Sequence, residues 1–252
     1  TGSLGQRLVE RILSNELGQP KKVIIFSRDE SKQHDMRVKW LNTSKKSDSI
    51  IFNNFKRVLE FRIGDIRRYD DILASAKDVD IIVNAAALKH VPVCEYFPEQ
   101  AILTNCIGAI NLTKCISDHN LNVETVVGIS TDKASSPINV MGMTKAIQER
   151  ILVASNIFLK KTKILNVRYG NVIASRGSVI PLFVHQIQNN KDITVTDNKM
   201  TRFLLDLDQA VDTIIFAIKY GKSGDIIVPT APSCRVEDLA IVMSKNKNYT
   251  KK

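Results

Sequence analysis

Two hydrophobic rhythms alternate along this chain. Short stretches rich in apolar residues at 22–26, 58–63, 79–83, 126–129 and 163–168 read as strands, those at 79–83 and 126–129 as buried ones. Between them, apolar residues recur at helical spacing. Leu4, Leu8, Ile12 and Leu13 line one face of an opening helix, and residues 31–41, 71–77, 95–120, a stretch from about Asn139, 178–189, 207–220 and 236–243 continue the pattern. Residues 95–120 read mostly as a long helix, residues 42–56 as a polar, irregular insertion, and residues 193–196 and 225–228 as two further short strands. Strand and helix in strict alternation predict an α/β fold, a doubly wound, Rossmann-like parallel sheet with right-handed crossovers. Residues 1–170 are expected to form a dinucleotide-binding domain, 171–244 a small C-terminal substrate lobe with elements returning to the core, and 245–252 a basic tail. A strand should precede a Gly-x-x-Gly turn at Thr1, so the first strand is expected to be missing and the chain to be a fragment of a longer product.

Composition narrows the class. With 252 residues and 44% hydrophobic content the chain can bury a large core. The longest apolar candidate, residues 211–218, is interrupted by Asp212 and Thr213 and is far short of the roughly 20 residues needed to span a bilayer. No membrane insertion and no signal peptide are expected, and the location expected is cytoplasmic. Cys94, Cys106, Cys115 and Cys234 show neither CxxC spacing nor a histidine at a ligand interval, so reduced thiols and no metal are expected. The net charge of +10 is scattered over short clusters (Lys21-Lys22, Lys45-Lys46, Lys160-Lys161 and the tail) with no zinc-finger or aromatic RNA motif beside them. Nucleic acid is therefore not an expected partner.

Candidate chemistry gathers where strands end. In open α/β sheets ligands bind beyond the carboxyl ends of the strands, which delivers Thr131, Asp132 and Lys133 to a cleft. Met141 and Lys145, four apart on the next helix, are expected to look into the same cleft. A plain turn-and-cap role for the Ser/Thr/Asp residues is the competing reading. Gly2, Ser3, Leu4 and Gly5 resemble the end of a phosphate loop, with a pyrophosphate on the helix N-terminus. Arg28, just past the second-strand position, suits a ribose 2′-phosphate and favours NADP over NAD. Asp65, followed by Ile66, can accept from an adenine amino group or simply turn the chain, and Ala85 and Ala86 let a flat ring approach the backbone. Tyr169, Asn171 and Val172 follow the 163–168 strand at the cleft. Arg176 and Ser178 open a helix that would hold a diphosphate, and Thr201-Arg202 offers a guanidinium fork for phosphate or a buried structural arginine.

The order Gly-x-x-Gly, Gly64-Asp65, NAA at 84–86, Asn105, Ser130-Thr131 and Lys145 resembles the extended short-chain dehydrogenase/reductases. ALKHVP at 87–92, STDKA at 130–134, PINVMG at 137–142, RYGNV at 168–172, SRGSVIP at 175–181 and MTRF at 200–203 together resemble the UDP-N-acetylglucosamine 4,6-dehydratases, in the branch that makes bacterial surface sugars. The resemblance runs from Thr1 to about Met243. It implies Asp132 as acid at the carbon 6 hydroxyl, Lys133 as base at carbon 5 and Thr131 as a donor near the carbon 4 oxygen. It further implies Lys89 and Asn105 at the cofactor, Lys145 at the nicotinamide ribose, and Lys89, Asn171, Arg176, Ser178, Val179, Thr201 and Arg202 at a UDP-sugar. Homo-oligomers are common in such a family. Met141 departs from the general pattern, since most short-chain reductases place a proton-transferring tyrosine four residues before the lysine. A nucleotide-sugar epimerase is the runner-up activity, and a non-catalytic NADP-binding regulator is the alternative from another class.

Overall fold

The computed structural model describes residues 1–43, 55–173 and 179–244. The sequence insertion at 42–56 falls largely outside them, as do Arg176, Ser178 and the basic tail. Helix α1 (Ser3–Leu13) leads into strand β1 (Val23–Ser27), α2 (Glu30–Thr43) and β2 (Leu59–Ile63). Then come α3 (Tyr69–Ala76), β3 (Ile81–Asn84), α4 (Val91–Tyr96), α5 (Pro98–Ala101) and α6 (Gly108–Asp118), followed by β4 (Thr125–Thr131), α7 (Val140–Ser155) and β5 (Lys163–Tyr169). The last third holds β6 (Asn171–Val172), α8 (Val179–Gln188), β7 (Thr201–Leu205), α9 (Leu207–Tyr220), β8 (Ile226–Ile227), β9 (Ser233–Arg235) and α10 (Val236–Met243).

All core pairings are parallel, as the βα alternation requires. β1 pairs with β2, and β3-β4-β5-β8 form a second parallel sheet. On β4, Val127 and Ile129 face one side and pack with Leu8 of α1, Leu165 and Val167 of β5 and Ile214 of α9. Val126 faces the other side with Ile164, Leu112, Ile116 and Leu152. A third cluster joins Val9 and Leu13 of α1 to Ile25, Met36 and Trp40. Helix α1 thus buries residues toward both sheets, each fully buried aliphatic chain stabilising by about 1.5–3 kcal/mol, and Arg7 and Arg11 tie its outer face to Asp208 and Asp212 of α9.

Two sequence expectations are corrected. The single helix over residues 95–120 is broken: Pro98 can neither donate a backbone N–H nor leave φ near −65°, so the chain turns at Phe97 and restarts, then passes through a π segment (Ile102–Ile107) before α6. Residues 193–196 form no strand. Ile193 and Val195 alternate into a cluster with Phe183, Val236 and Ala240, so burial alone accounts for their period of two. The lobe's sheet is instead β6-β7-β9, parallel at Asn171↔Leu204 and antiparallel at Arg202↔Cys234. β6 and β9, of two and three residues, carry almost no periodic signal, and the five-residue β7 was passed over.

Candidate active site

Unequal strand lengths open the site. β3 ends at Asn84, opposite Gly128, whereas β4 runs on to Thr131 with β5 alongside as far as Tyr169. Past Gly128, β4 therefore has a paired strand on one side only among the described residues, and the backbone groups of Ile129 and Thr131, which face the β3 side, are left for side chains or ligands. A 3-10 turn (Asp132–Ala134) follows, and α7 starts at the Asn139 cap, whose Oδ1 accepts from Gly142 N at 2.8 Å.

Thr131, Asp132, Lys133 and Asn171 lie together at the ends of β4 and β5. Thr131 Oγ1 donates to Asp132 Oδ1 at 2.8 Å, and Lys133 N donates to the same oxygen at 2.9 Å. Lys133 Nζ lies 3.1 Å from Asp132 Oδ1 and 3.3 Å from Asn171 Oδ1, so the strand 4 turn is tied to the start of the lobe. All three turn residues are partly exposed, which leaves a carboxylate and an amine side by side and accessible. The same hydroxyl and carboxylate also cap the turn, so the turn-and-cap reading describes their local structure without using the amine.

Lys145 and Met141 behave differently from an open cleft lining. Lys145 is only 5% exposed. Its Nζ donates to Ile129 O at 2.5 Å and to Gln148 Oε1 at 2.7 Å. Burial pulls its ammonium down to about 8, against the opposing charge of Glu149. Glu149 is in turn held by Arg168, whose Nε and Nη2 donate to its two oxygens at 2.8 and 2.6 Å. Met141 is 5% exposed and packs with Cys94, Ala101, Leu88 and Val91, so its thioether belongs to an apolar cluster beneath α4. Asn105, 1% exposed, spends its amide on Leu88 N, Leu88 O and Thr144 Oγ1. In this structure it fixes the loop that carries Lys89, whose ammonium is lowered by burial.

The dinucleotide candidates lie along the same carboxyl edge. Gly2 caps α1 without a side-chain bond, leaving first-turn N–H groups open, and no atom stands within 4 Å of where a Cβ on Gly2 or Gly5 would be. Ser3 and Leu4 complete that turn, next to the end of β1 through Thr1 Oγ1 and Ser27 Oγ at 3.2 Å. Arg28 is largely exposed, with Nη1 at 3.6 Å from Asp65. Burial pushes the Asp65 carboxyl up, but hydrogen bonds from Arg67 and the charge of Arg28 outweigh it and leave it below the ordinary aspartate value. Ile66 packs under Gly108, while Ala85 is exposed just past β3 and Ala86 follows half-buried. Asn84 Oδ1 and Ser130 Oγ are buried with no hydrogen-bond partner among the described residues. Open helix N–H groups at one end and orphaned polar atoms at the other fit a dinucleotide laid across the strand ends.

The remaining candidates scatter. Tyr169 and Val172 are buried in the core cluster with Leu205, where burial pushes the Tyr169 phenol up. Val179 packs against the Phe183 cluster, and Thr201 and Arg202 lie on β7, Arg202 Nη1 donating to Thr201 O at 2.8 Å. Sequence reasoning passed over Gln148, Glu149 and the pairing of Arg168. Their signal was positional: Gln148 and Glu149 follow Lys145 by three and four residues and share its face. Among the described residues no group of three or more His, Cys, Asp or Glu side chains could hold a metal, and no helix is long and apolar enough to cross a membrane.

Comparison with known proteins agrees with this architecture. The chain is 45% identical over 256 residues to a protein named UDP-glucose 4-epimerase from Rickettsia bellii, covering 98% of this chain and 70% of that one. The X-ray structure of Pen from Bacillus thuringiensis superposes with a TM-score of 0.88 at 35% identity, covering 100% of this chain and 74% of that chain. DesIV, a dTDP-glucose 4,6-dehydratase from Streptomyces venezuelae solved with NAD bound, shares the fold at 20% identity, with a TM-score of 0.82 and 100% and 81% coverage. A family model described as polysaccharide biosynthesis protein matches residues 1–252, and the chain belongs to that family.

Proposed function

We propose that this chain is a nucleotide-sugar enzyme that oxidises carbon 4 of the hexose with a nicotinamide dinucleotide and reduces the product again within one turnover. The observation that carries this reading is the hydrogen-bonded set Thr131, Asp132, Lys133 and Asn171 on the overhang of β4, beside Lys145 and on the edge where α1 begins. The nicotinamide supplies a two-electron acceptor that takes a hydride and gives it back. Gly2, Ser3, Leu4 and Gly5 would hold the pyrophosphate and Lys145 the nicotinamide ribose. Arg28 supports NADP as the bound form, whereas the NAD held by DesIV supports NAD. Arg202 and Asn171 would meet the UDP portion of the substrate.

When the carbon 4 hydroxyl is oxidised, its proton must leave for a base, and Lys133 and Asp132 are the exposed groups able to take it. Met141 cannot. If the ketone then receives hydride on its opposite face and recovers the proton, the outcome is 4-epimerisation, the reading supported by the name of the Rickettsia bellii relative. A second reading, 4,6-dehydration, is favoured by the adjacency of Lys133 and Asp132 at 3.1 Å together with the thioether at 141. In that case Lys133 removes the proton on carbon 5, acidified by the ketone, and Asp132 protonates the carbon 6 hydroxyl as it leaves as water. Hydride then adds at carbon 6, and a proton returns to carbon 5 to give the 4-keto-6-deoxy sugar. Incubation with UDP-glucose and with UDP-N-acetylglucosamine in deuterated water, followed by NMR, tests both. A 4-epimer free of solvent deuterium supports epimerisation, and a 4-keto-6-deoxy sugar with deuterium at carbon 5 supports dehydration. Dinucleotide binding with no sugar product from either substrate would sink both and leave a non-catalytic, regulatory role.

A further inference from the structure

We infer that Gln148 is a positioning residue that holds the Lys145 ammonium against the overhang of β4, and so sets how the nicotinamide half of the dinucleotide is bound. The inference rests on the reading that Lys145 serves the cofactor. Gln148 is 0% exposed and lies one helical turn beyond Lys145 on the same face. The two side chains close a triangle with one backbone carbonyl: Lys145 Nζ donates to Gln148 Oε1 at 2.7 Å and to Ile129 O at 2.5 Å, and Gln148 Nε2 donates to Ile129 O at 3.3 Å. That carbonyl is at hand because β3 stops opposite Gly128, one residue earlier. An ammonium has three donors, so the triangle orients two and leaves one for a ligand.

The charges around Lys145 leave this task to Gln148. Glu149, on the same helix, is engaged by both guanidinium nitrogens of Arg168 from β5. Cys106, on the π segment packed against α7, has its thiol pushed up by burial and is neutral. Asp132 and Lys133, in the turn packed on the start of α7, pair with each other, and Glu95 of α4 accepts from Val140 N. Gln148 is then, among the described residues, the side chain that hydrogen-bonds the ammonium directly. Burial depresses Lys145 to about 8, so an acceptor added or removed at this point moves its titration across an accessible range. Sign follows from charge: dinucleotide affinity that depends on the ammonium is present below the Lys145 pKa and fades as pH rises through it.

The test is calorimetric titration of the full chain with NADP, and with NAD in parallel, as a function of pH, for Gln148→Met and Gln148→Glu. Gln148→Met keeps the volume but removes the acceptor. It should weaken dinucleotide binding and bring the pH at which affinity falls down by about one unit, a tenfold change in ammonium dissociation. Gln148→Glu replaces a neutral acceptor by a charged one and should move that midpoint up. A filler role lowers stability in both variants but cannot move the midpoint in opposite directions. Unmoved midpoints, or shifts of one sign, overturn the inference; should Gln148→Met fail to fold, an unmoved or lowered midpoint in Gln148→Glu does so alone. Lys145→Met separates this from the underlying reading. If that variant keeps wild-type affinity and pH profile, Lys145 does not serve the cofactor. If it abolishes the pH step while both Gln148 variants leave the step in place, only the role of Gln148 fails.

Discussion

Replacing Gly142 by alanine should damage the site through the backbone, without touching a catalytic side chain. Gly142 sits in the first turn of α7, where a Cβ would stand 2.5 Å from Lys133 O and 3.3 Å from both Lys133 C and Pro137 Cβ. Real Cβ atoms essentially never come closer than 3.0 Å, so the helix start and the 3-10 turn must part by at least about half an ångström. The obstacle is a main-chain carbonyl, which cannot swing aside like the end of a long side chain. Two stability terms oppose each other. Alanine in a helix is favoured over glycine by about 1 kcal/mol, while overpacking a buried contact costs about 1–3 kcal/mol. The net loss of up to about 2 kcal/mol corresponds to a fall in Tm of several degrees for a domain of this size, at about 2–4 °C per kcal/mol. Activity should suffer more. The shifted carbonyl belongs to Lys133, and a misplacement of about 1 Å costs on the order of 100-fold in rate, so half of that predicts about tenfold. Differential scanning calorimetry and sugar turnover by NMR read the two effects, with the exposed neighbour Met143→Ala as the control. Wild-type turnover together with an unchanged or higher Tm would refute the reasoning, because the turn would then have yielded at no cost.

Other perturbations probe the charges one at a time. Lys133→Ala should abolish sugar turnover while dinucleotide titration stays near wild type; surviving turnover would remove Lys133 from the acid–base role. Glu149→Ala leaves Arg168 without its carboxylate, and because Glu149 is 2% and Arg168 21% exposed, the loss should lie near the lower end of the 3–5 kcal/mol range for broken buried pairs, about 3 kcal/mol, read as a lower denaturant midpoint. Lys145 is lowered from 10.5 to about 8 in the folded chain, so between those values the unfolded chain binds the extra proton. Its contribution should make stability rise with pH through that window by on the order of 3 kcal/mol, and the difference between wild type and Lys145→Met in denaturant titrations should show that slope; a flat difference would contradict the burial argument. Arg28→Ala should lower the ratio of NADP to NAD affinity, and an unchanged ratio would mean that Arg28 does not read the 2′-phosphate.

The sheet elements of the dinucleotide-binding half were legible from short stretches rich in apolar and β-branched residues, continuous in the buried β4 and alternating with Glu60 and Arg62 in the partly buried β2. The helices over residues 207–220 and 236–243 matched to the residue, since Asp206 with Gln209 forms a capping box at one and Arg235 leads directly from strand to helix at the other. Failures came where a local rule was overridden. Pro98 interrupts an otherwise helical pattern, Ile193 and Val195 alternate without a ladder, and β6 and β9 are too short to register. In the site, Thr131, Asp132 and Lys133 were readable as polar residues at a strand end, and Asn171 by the same logic applied to β5; the contact of Lys133 with Asn171 appears only in the structure. Met141 was readable as an absent tyrosine, but its burial beneath α4 depends on Cys94 and Ala101, residues forty or more positions away.

What links these parts is Ile129. Its side chain lies in the cluster that contains Leu8 of α1, so the helix proposed to hold the pyrophosphate and the strand that carries the Asp132–Lys133 turn share one core. Its carbonyl, left without a β3 neighbour, takes the Lys145 ammonium and the Gln148 amide. Two residues later the same strand delivers Thr131 and then Asp132 and Lys133. Side chain and carbonyl of a strand residue are set by one backbone conformation, so the ammonium, the turn and α1 are positioned together. Lengthening β3 by even one paired residue would claim that carbonyl for the sheet and displace the lysine. The short third strand is therefore part of the candidate site, and it ends at Asn84, whose Oδ1 is buried with no hydrogen-bond partner among the described residues.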